Sequence, residues 1–199
     1  MNILNTELEC PGCGRPITLT QKECACGRPI VLSTFSSVMN ISFPELNKYA
    51  QIYQKALAEN PDNRILNNSV AMCYLKLKMY DKAFKHFEKA LEENFDDVET
   101  YFYAAVSLLS GRKAFLAPRQ NINKIEELLN AAVSIEPRGI FYLFWAYIKL
   151  DYFKRKFLRT TPDYLTMFSM AQEYGYSELD KENLFNTLGV ECPALLTVK

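Results

Sequence analysis

The chain has 199 residues, of which 49% are hydrophobic, and its 23 basic and 23 acidic residues give a formal net charge of zero. A chain of this length and composition is expected to bury a core and to form one or two small domains. The balanced charge excludes a strong global attraction to nucleic acid or to an anionic membrane, although local patches can still form.

Four of the six cysteines lie close together near the N-terminus, in the segment ECPGCGRPITLTQKECACGRPIVL. They form a C-x2-C pair, ten intervening residues and a C-x-C pair. Four thiolates can surround one tetrahedral zinc ion, and a shell of four cysteines leaves no open position for water. The spacing therefore predicts a structural zinc site with the ligands Cys10, Cys13, Cys24 and Cys26.

The pentapeptide CGRPI occurs twice, and each copy begins at the second cysteine of a pair. Gly14 and Gly27 follow the second cysteine of each pair, where glycine permits a positive φ. The β-prone sequences ITL and IVL follow, and we expect them to form short strands. This arrangement resembles the zinc ribbon over residues 1–36, although the C-x-C pair departs from the commoner C-x2-C pair. Two disulfides, loose thiols and a redox pair in CPGC are the alternatives.

From Pro44 onward the composition predicts helices, the first starting at Ser42 and ending before Pro61. The segments YQKALAENPDN and FEKALEENFDD are similar and lie one period of about 34 residues apart. This period resembles the tetratricopeptide repeat, as do the residues at Val70, Ala71, Tyr74, Ala83, Phe87 and Ala90. The resemblance implies a mostly α fold, an α-solenoid of helix-turn-helix repeats over residues 43–160 with an insertion near 110–122.

The C-terminal segment, residues 161–199, is predicted to contain two capping helices. The first follows Thr161 and Pro162 and ends at Gly175, a typical C-terminal signal. The second begins at Ser177, which forms the pattern of a capping box with Asp180. Such helices cover the apolar side of the last repeat in a solenoid.

In the tetratricopeptide family, the first helix of each repeat lines a concave face that binds peptides or helices. The resemblance implies a concave face that includes Asn68, Met72, Phe102, Tyr103, Val106, Phe141, Phe144 and Ile148. An aromatic groove of this kind suits an apolar or amphipathic protein segment. The same side chains equally fit a core that packs against the chain's own segments. Glu99 stands where chaperone-binding members have a cation, which argues against a clamp for acidic chaperone tails.

The segment KLDYFKRKFLR concentrates basic residues among aromatic ones. A patch of this kind is a possible contact for phosphate or for an acidic partner. The patch comprises Lys149, Lys154, Arg155, Lys156 and Arg159. A solvated helix face that pairs with the acidic C-terminal segment is the alternative.

Catalytic motifs are absent from the sequence, and His86 is the only histidine. We therefore predict a non-enzymatic adapter that binds a protein partner and carries structural zinc. The alternatives are a nucleic-acid-binding module that uses the ribbon and the basic helix, and a regulatory subunit of an enzyme on another chain. No apolar run long enough to span a bilayer and no secretory leader pattern occurs, so we expect a cytoplasmic protein with no membrane partner.

Overall fold

The computed structural model describes residue 4, residues 6–92 and residues 96–197. Residues 93–95, which belong to the second copy of the repeated segment, lie outside the described residues. So do the outermost residues of the predicted zinc ribbon and of the predicted capping segment. The chain divides into two compact units, Met1–Phe95 and Asp96–Lys199.

The first unit begins with a two-stranded antiparallel sheet, β1 (Glu7–Glu9) and β2 (Pro16–Thr18). Leu8 lies opposite Ile17 and both are buried. The expected second strand at IVL does not form, because its backbone groups bond to side chains of the helical region instead. A short helix, α1 (Phe35–Met39), follows and is capped by Thr34, whose side chain accepts from the Ser37 amide.

Three longer helices complete the first unit: α2 (Phe43–Glu59), α3 (Arg64–Lys76) and α4 (Tyr80–Leu91). As the sequence predicts, α2 has Ser42 as its N-cap and ends before Pro61. The Asn63 side chain caps α3 by accepting from two backbone amides. The helix α3 packs against both α2 and α4, with Ala71 and Ala83 fully buried. Small side chains at these positions let the helices approach closely.

The second unit contains five α-helices among its described residues. They are α5 (Val98–Ser107), α6 (Arg119–Ile135), α7 (Gly139–Ile148), α8 (Tyr164–Tyr174) and α9 (Glu178–Leu188). A π-helix, Lys149–Lys154, extends α7, and short 3-10 helices span Ala114–Leu116 and Ala194–Leu196. The segment predicted as an insertion, residues 110–122, covers most of the loop between α5 and α6 and the first turn of α6. The structure is mostly helical, as predicted.

The helices of the second unit pack as consecutive neighbours, α5 on α6, α6 on α7 and α7 on α8. The contact between α7 and α8 is so close that a Cβ on Gly139 would lie 2.1 Å from the Gly175 oxygen. The helix α8 therefore packs directly on α7.

Both C-terminal helices have well-defined ends. The helix α8 follows Thr161 and Pro162; its N-cap is Asp163, whose side chain accepts from the Thr166 amide, and it ends at Gly175. The predicted capping box of α9 is confirmed, with both reciprocal bonds between Ser177 and Asp180 present. No helix in the described part of the chain is both long and apolar enough to cross a membrane.

Candidate functional site

The first cysteine pair lies in a tight turn directly after β1. The Cys10 amide donates to the Arg15 carbonyl at 2.9 Å, and the Gly14 amide donates back to the Cys10 carbonyl at 2.9 Å. Gly14 has a φ of 72°, a conformation that side-chain-bearing residues rarely adopt. The turn therefore needs the glycine that follows Cys13.

The second pair repeats this turn with one residue fewer. The Cys24 amide donates to the Arg28 carbonyl, and the Gly27 amide donates to the Cys24 carbonyl, both at 2.8 Å. Gly27 has a φ of 79°. The shorter hydrogen-bonded loops match the loss of one residue between the cysteines of C-x-C, so the repeated CGRPI marks two related turns.

The four cysteine sulfurs converge, with all of them within 4.8 Å of one another. The Sγ atoms of Cys10 and Cys26 are 3.4 Å apart, and those of Cys13 and Cys24 are 3.6 Å apart. Four sulfurs about 2.3 Å from a central zinc ion form a tetrahedron with edges of about 3.8 Å. The cluster therefore fits a four-coordinate metal ion, whereas a disulfide requires an S–S distance of about 2.05 Å.

The electrostatics of the cluster also suit a cation. Burial opposes ionisation of Cys10, but the amides of Cys13 and Gly12 and the neighbouring thiols outweigh it and lower the pKa of this thiol to about 7. The contact with Cys10 raises the pKa of Cys26 to about 12, with burial adding to the shift. Four thiolates this close repel one another, so full ionisation needs a positive ion among them.

The cysteine module packs on α2 of the same unit. The hydroxyls of Tyr49 and Tyr53 donate to the carbonyls of Pro29 and Ile30, both at 2.8 Å. Both tyrosines are almost completely buried, and burial raises the pKa of each, so the hydroxyls stay protonated as donors. No local pattern in the sequence predicted this contact of Tyr49 and Tyr53 with the cysteine module.

Two ion pairs flank these hydrogen bonds. Arg28, just after the second turn, pairs with Glu45 on α2. Glu9 on β1 lies 3.6 Å from Lys55. The first pair is partly exposed and the second is largely exposed, so both contribute little stability. They add two further contacts between the module and α2.

The two predicted groove residues of the first unit, Asn68 and Met72, are both buried on α3. The segment between the cysteines and α2 covers this helix. The Asn68 side chain donates to the Ser33 carbonyl at 3.2 Å, and the Leu32 amide donates to Ser69 Oγ at 3.3 Å. The helix α1 also contacts α3. A partner can reach this face of α3 only if residues 29–39 move.

The six predicted groove residues of the second unit belong to its aromatic core. Five are buried, and Tyr103 is partly exposed: the buried ones are Phe102, Val106, Phe141, Phe144 and Ile148. The rings of Phe102 and Phe141 lie 4.6 Å apart. The helix α9 contacts both α5 and α7 and places Phe185 5.6 Å from the Tyr147 ring. In this structure the buried side chains of this set therefore pack against the chain's own segments.

Glu99, the residue that argued against a chaperone clamp, is part of an ion pair. Glu99 lies 3.4 Å from the guanidinium of Arg138, which also pairs with Glu136. Glu99 is thus bound to a cation of the same unit. An acidic partner tail would face a carboxylate at this position.

The predicted basic patch is divided by the structure. Lys149 is only 4% exposed, pairs with Glu126 and donates to Thr160 Oγ1 at 2.6 Å. It is therefore not part of a surface patch, because the helix turns it inward. The other four residues of the patch, Lys154, Arg155, Lys156 and Arg159, are exposed or partly exposed.

The single histidine has a structural position. His86 Nδ1 lies 2.8 Å from Asn67 Oδ1, and Nε2 lies 3.1 Å from the Gln54 amide nitrogen. The Asn67 amide nitrogen donates to two carbonyls, so Nδ1 carries the proton and Nε2 accepts. Burial, with the nearby Lys89 charge, lowers the pKa of His86. The imidazole of His86 is therefore neutral at pH 7 and joins α2, α3 and α4.

The two remaining cysteines have no features of a reactive thiol. Cys73 is fully buried, and burial raises its pKa to about 12. Burial also raises the pKa of Cys192. Both thiols are protonated at neutral pH and are poor nucleophiles.

Comparison with known proteins supports the repeat assignment. A tetratricopeptide repeat family model matches residues 66–97. These residues include most of α3 and all of α4, the hairpin with the strongest resemblance in the sequence. No curated protein and no solved structure shows significant similarity to the chain. Tetratricopeptide repeats generally mediate protein–protein interactions and are generally non-catalytic.

Proposed function

We propose that the chain is a non-enzymatic, zinc-binding adapter that recruits a protein partner through its repeats. Its N-terminal module is a zinc ribbon with the ligands Cys10, Cys13, Cys24 and Cys26. The observation that carries this proposal is the convergence of four sulfurs at tetrahedral spacing in a module that packs on a repeat helix. Zinc in this position is structural, because all four coordination sites are taken by sulfur.

The ion would replace a hydrophobic core in the ribbon. The sheet has only two strands of three residues, so apolar packing within the module is small. A structural zinc site supplies on the order of 10 kcal/mol of binding free energy to such modules. The two related turns would be joined through the metal, and the module would then cap α2 through Tyr49 and Tyr53.

Partner recognition through the predicted aromatic groove requires a change in this structure. Residues 29–39 cover Asn68 and Met72, and α9 packs on the helices that carry the aromatic residues. We therefore propose that a partner segment competes with these covering segments for the repeat helices. Adapter binding of this kind is slower than binding to an open groove, since a covering segment must leave first.

The zinc site is tested by the metal content of the purified chain. We expect one zinc ion per chain in the wild type by mass spectrometry of the metals, and loss of that ion in a double variant, Cys13→Ser with Cys24→Ser. Cys192→Ser is the matched control, because Cys192 lies outside the cluster, and it should retain zinc. A wild type without zinc, or a double variant that retains it, would disprove the site.

The adapter role is tested by isolating a stoichiometric complex from native lysate and mapping it by hydrogen–deuterium exchange. We expect increased protection in the repeat helices α3, α5 or α7, together with faster exchange in the displaced segment, either residues 29–39 or α9. A footprint confined to the ribbon contradicts the groove but keeps the adapter. A chain that remains monomeric and without any partner contradicts the adapter itself.

A further inference from the structure

Two segments far apart in sequence form one surface in the second unit. The inserted loop that contains the 3-10 helix Ala114–Leu116 packs on the π-helix that extends α7. The Phe115 amide donates to Asp151 Oδ2 at 2.8 Å, and the Ala114 amide donates to the Tyr147 hydroxyl at 3.2 Å. Asp151 is buried, so the hydrogen bond that it accepts from Phe115 holds the loop strongly against the π-helix.

This surface has a strong excess of positive charge. Residues 111–119 contain three basic and no acidic residues, and residues 149–159 contain five basic residues and one acidic residue. The acid is Asp151, which already pairs with Arg155. Within the part of the chain that the structure describes, six cations here have no ion pair: Arg112, Lys113, Arg119, Lys154, Lys156 and Arg159.

Three large, exposed apolar side chains lie in the same two segments as these cations. Phe157 is 96% exposed, Leu116 is 66% exposed and Leu158 is 44% exposed. Phe157 lies in a tight turn, where its amide donates to the Lys154 carbonyl and its φ is 57°. A bulky residue with a positive φ is an outlier, and exposure of its ring adds a hydration cost. A protruding, strained phenylalanine is better explained by binding than by folding.

The chemistry of this surface fits an anionic lipid bilayer. Phenylalanine and leucine lie in the boundary between headgroups and acyl chains, while lysine and arginine bind the anionic headgroups around them. Because the apolar side chains protrude, they can insert into the deformable acyl-chain region of a bilayer, whereas a protein partner would need a pocket of matching shape. The expectation of no membrane partner relied on the charge of the whole chain and on the lack of a membrane-spanning segment. Neither observation bears on a local basic patch, because a net charge of zero is compatible with one.

Single-stranded RNA fits the surface less well. Binding of bases requires open aromatic faces on which they stack. Cations already lie over several of the rings here: Arg155 is 4.4 Å from the Phe115 ring, Lys156 is 3.9 Å from the Tyr152 ring and Lys154 is 4.3 Å from the Tyr164 ring. Arg155 covers Phe115, so Phe157 is the open ring of residues 112–119 and 154–159, and the two leucines offer no stacking surface.

We propose that residues 112–119 and 154–159 form a peripheral binding surface for anionic membranes, with Phe157, Leu158 and Leu116 inserted below the headgroups. The cations around them bind the phosphate and carboxylate groups of the lipids. None of these residues is among those predicted for the groove that binds the protein partner. The membrane surface and the adapter role can therefore fail independently.

The test is sedimentation of the full chain with large unilamellar vesicles. We expect binding to vesicles of phosphatidylcholine and phosphatidylserine mixed at about two to one, little binding to pure phosphatidylcholine, and release as the salt concentration rises. Arg159→Gln should lower the partition coefficient about fivefold, since each cation near such a surface contributes on the order of a factor of five. Phe157→Ser should lower it by about tenfold through loss of the inserted ring.

The matched control is Leu179→Ser, which removes a leucine of 64% exposure on α9, outside this surface, and should leave vesicle binding unchanged. Circular dichroism checks that each variant is folded. The proposal is overturned if the wild type does not bind the anionic vesicles at low salt, or if Phe157→Ser binds as well as the wild type. It is also overturned if a short labelled RNA of mixed sequence binds the chain more tightly than the anionic vesicles do.

Discussion

The substitution Phe102→Ala separates a core role of the aromatic residues from a role as an open groove. Phe102 is 3% exposed and its ring lies 4.6 Å from Phe141, 5.9 Å from Phe144 and 5.0 Å from Tyr103. Removal of a buried phenylalanine ring costs about 3 to 5 kcal/mol, from lost transfer free energy and the cavity left behind. A solvent-exposed groove residue would change the free energy of unfolding by about 0.5 kcal/mol or less.

Urea denaturation measures this difference, and the single tryptophan of the chain, Trp145, reports on the same unit. With an m-value of about 2 kcal/mol per molar urea, a loss of about 4 kcal/mol lowers the unfolding midpoint by about 2 M. Phe157→Ala is the control, because it removes the same ring from a 96% exposed position. Its midpoint should change by about 0.3 M or less. If Phe102→Ala lowers the midpoint by less than about 0.5 M, the ring is not part of a packed core.

Three further predictions follow from contacts described above. Gly139→Ala should lower the free energy of unfolding by about 1 to 3 kcal/mol or more in the same urea assay, since the new Cβ would lie 2.1 Å from the Gly175 oxygen. An unfolding midpoint equal to that of the wild type would refute that contact. Removal of zinc with a strong chelator should lower the melting temperature of the helical signal in circular dichroism, because Tyr49 loses its acceptor on the ribbon; an unchanged helical transition would show that the ribbon does not stabilise α2. His86 has a lowered pKa when folded, so the unfolded chain binds its proton first as the pH falls below about 6.5. The stability that His86 contributes is therefore present above about pH 6.5 and is lost as the pH falls towards the pKa of the folded state. Between about pH 7.5 and 5.5 the free energy of unfolding should fall more steeply in the wild type than in His86→Gln. Parallel curves for the two proteins would contradict this.

The features that the sequence predicted well depend on residues close to one another in the chain. The capping box at Ser177, the glycines of the two cysteine turns and the ends of α2 all follow from local hydrogen bonds and backbone preferences. The convergence of the four cysteine sulfurs was also predicted, from the spacing of the two cysteine pairs.

Contacts between distant segments were not predictable in the same way. An apolar side chain on a helix has the same sequence pattern whether a partner or the chain itself covers it, so Phe102 and Phe141 were consistent with both interpretations. The expected IVL strand failed for a related reason. The backbone of this segment bonds to the side chains of Tyr53 and Ser69, which lie on later helices, and no local signal identifies those partners.

The π-helical extension of α7 has a consequence for how this chain tolerates deletions. Its backbone bonds include one from the Arg155 amide to the Leu150 carbonyl, five residues earlier, where an α-helix would span four. Each residue turns an α-helix by about 100°. In a regular α-helix a deletion of one residue would rotate the following side chains by about that angle. Here a deletion between Lys149 and Lys154 would remove the residue that the wider π turn accommodates. The segment would return to α-helical hydrogen bonding with little rotation of Lys154 and Phe157, so this surface would keep its orientation.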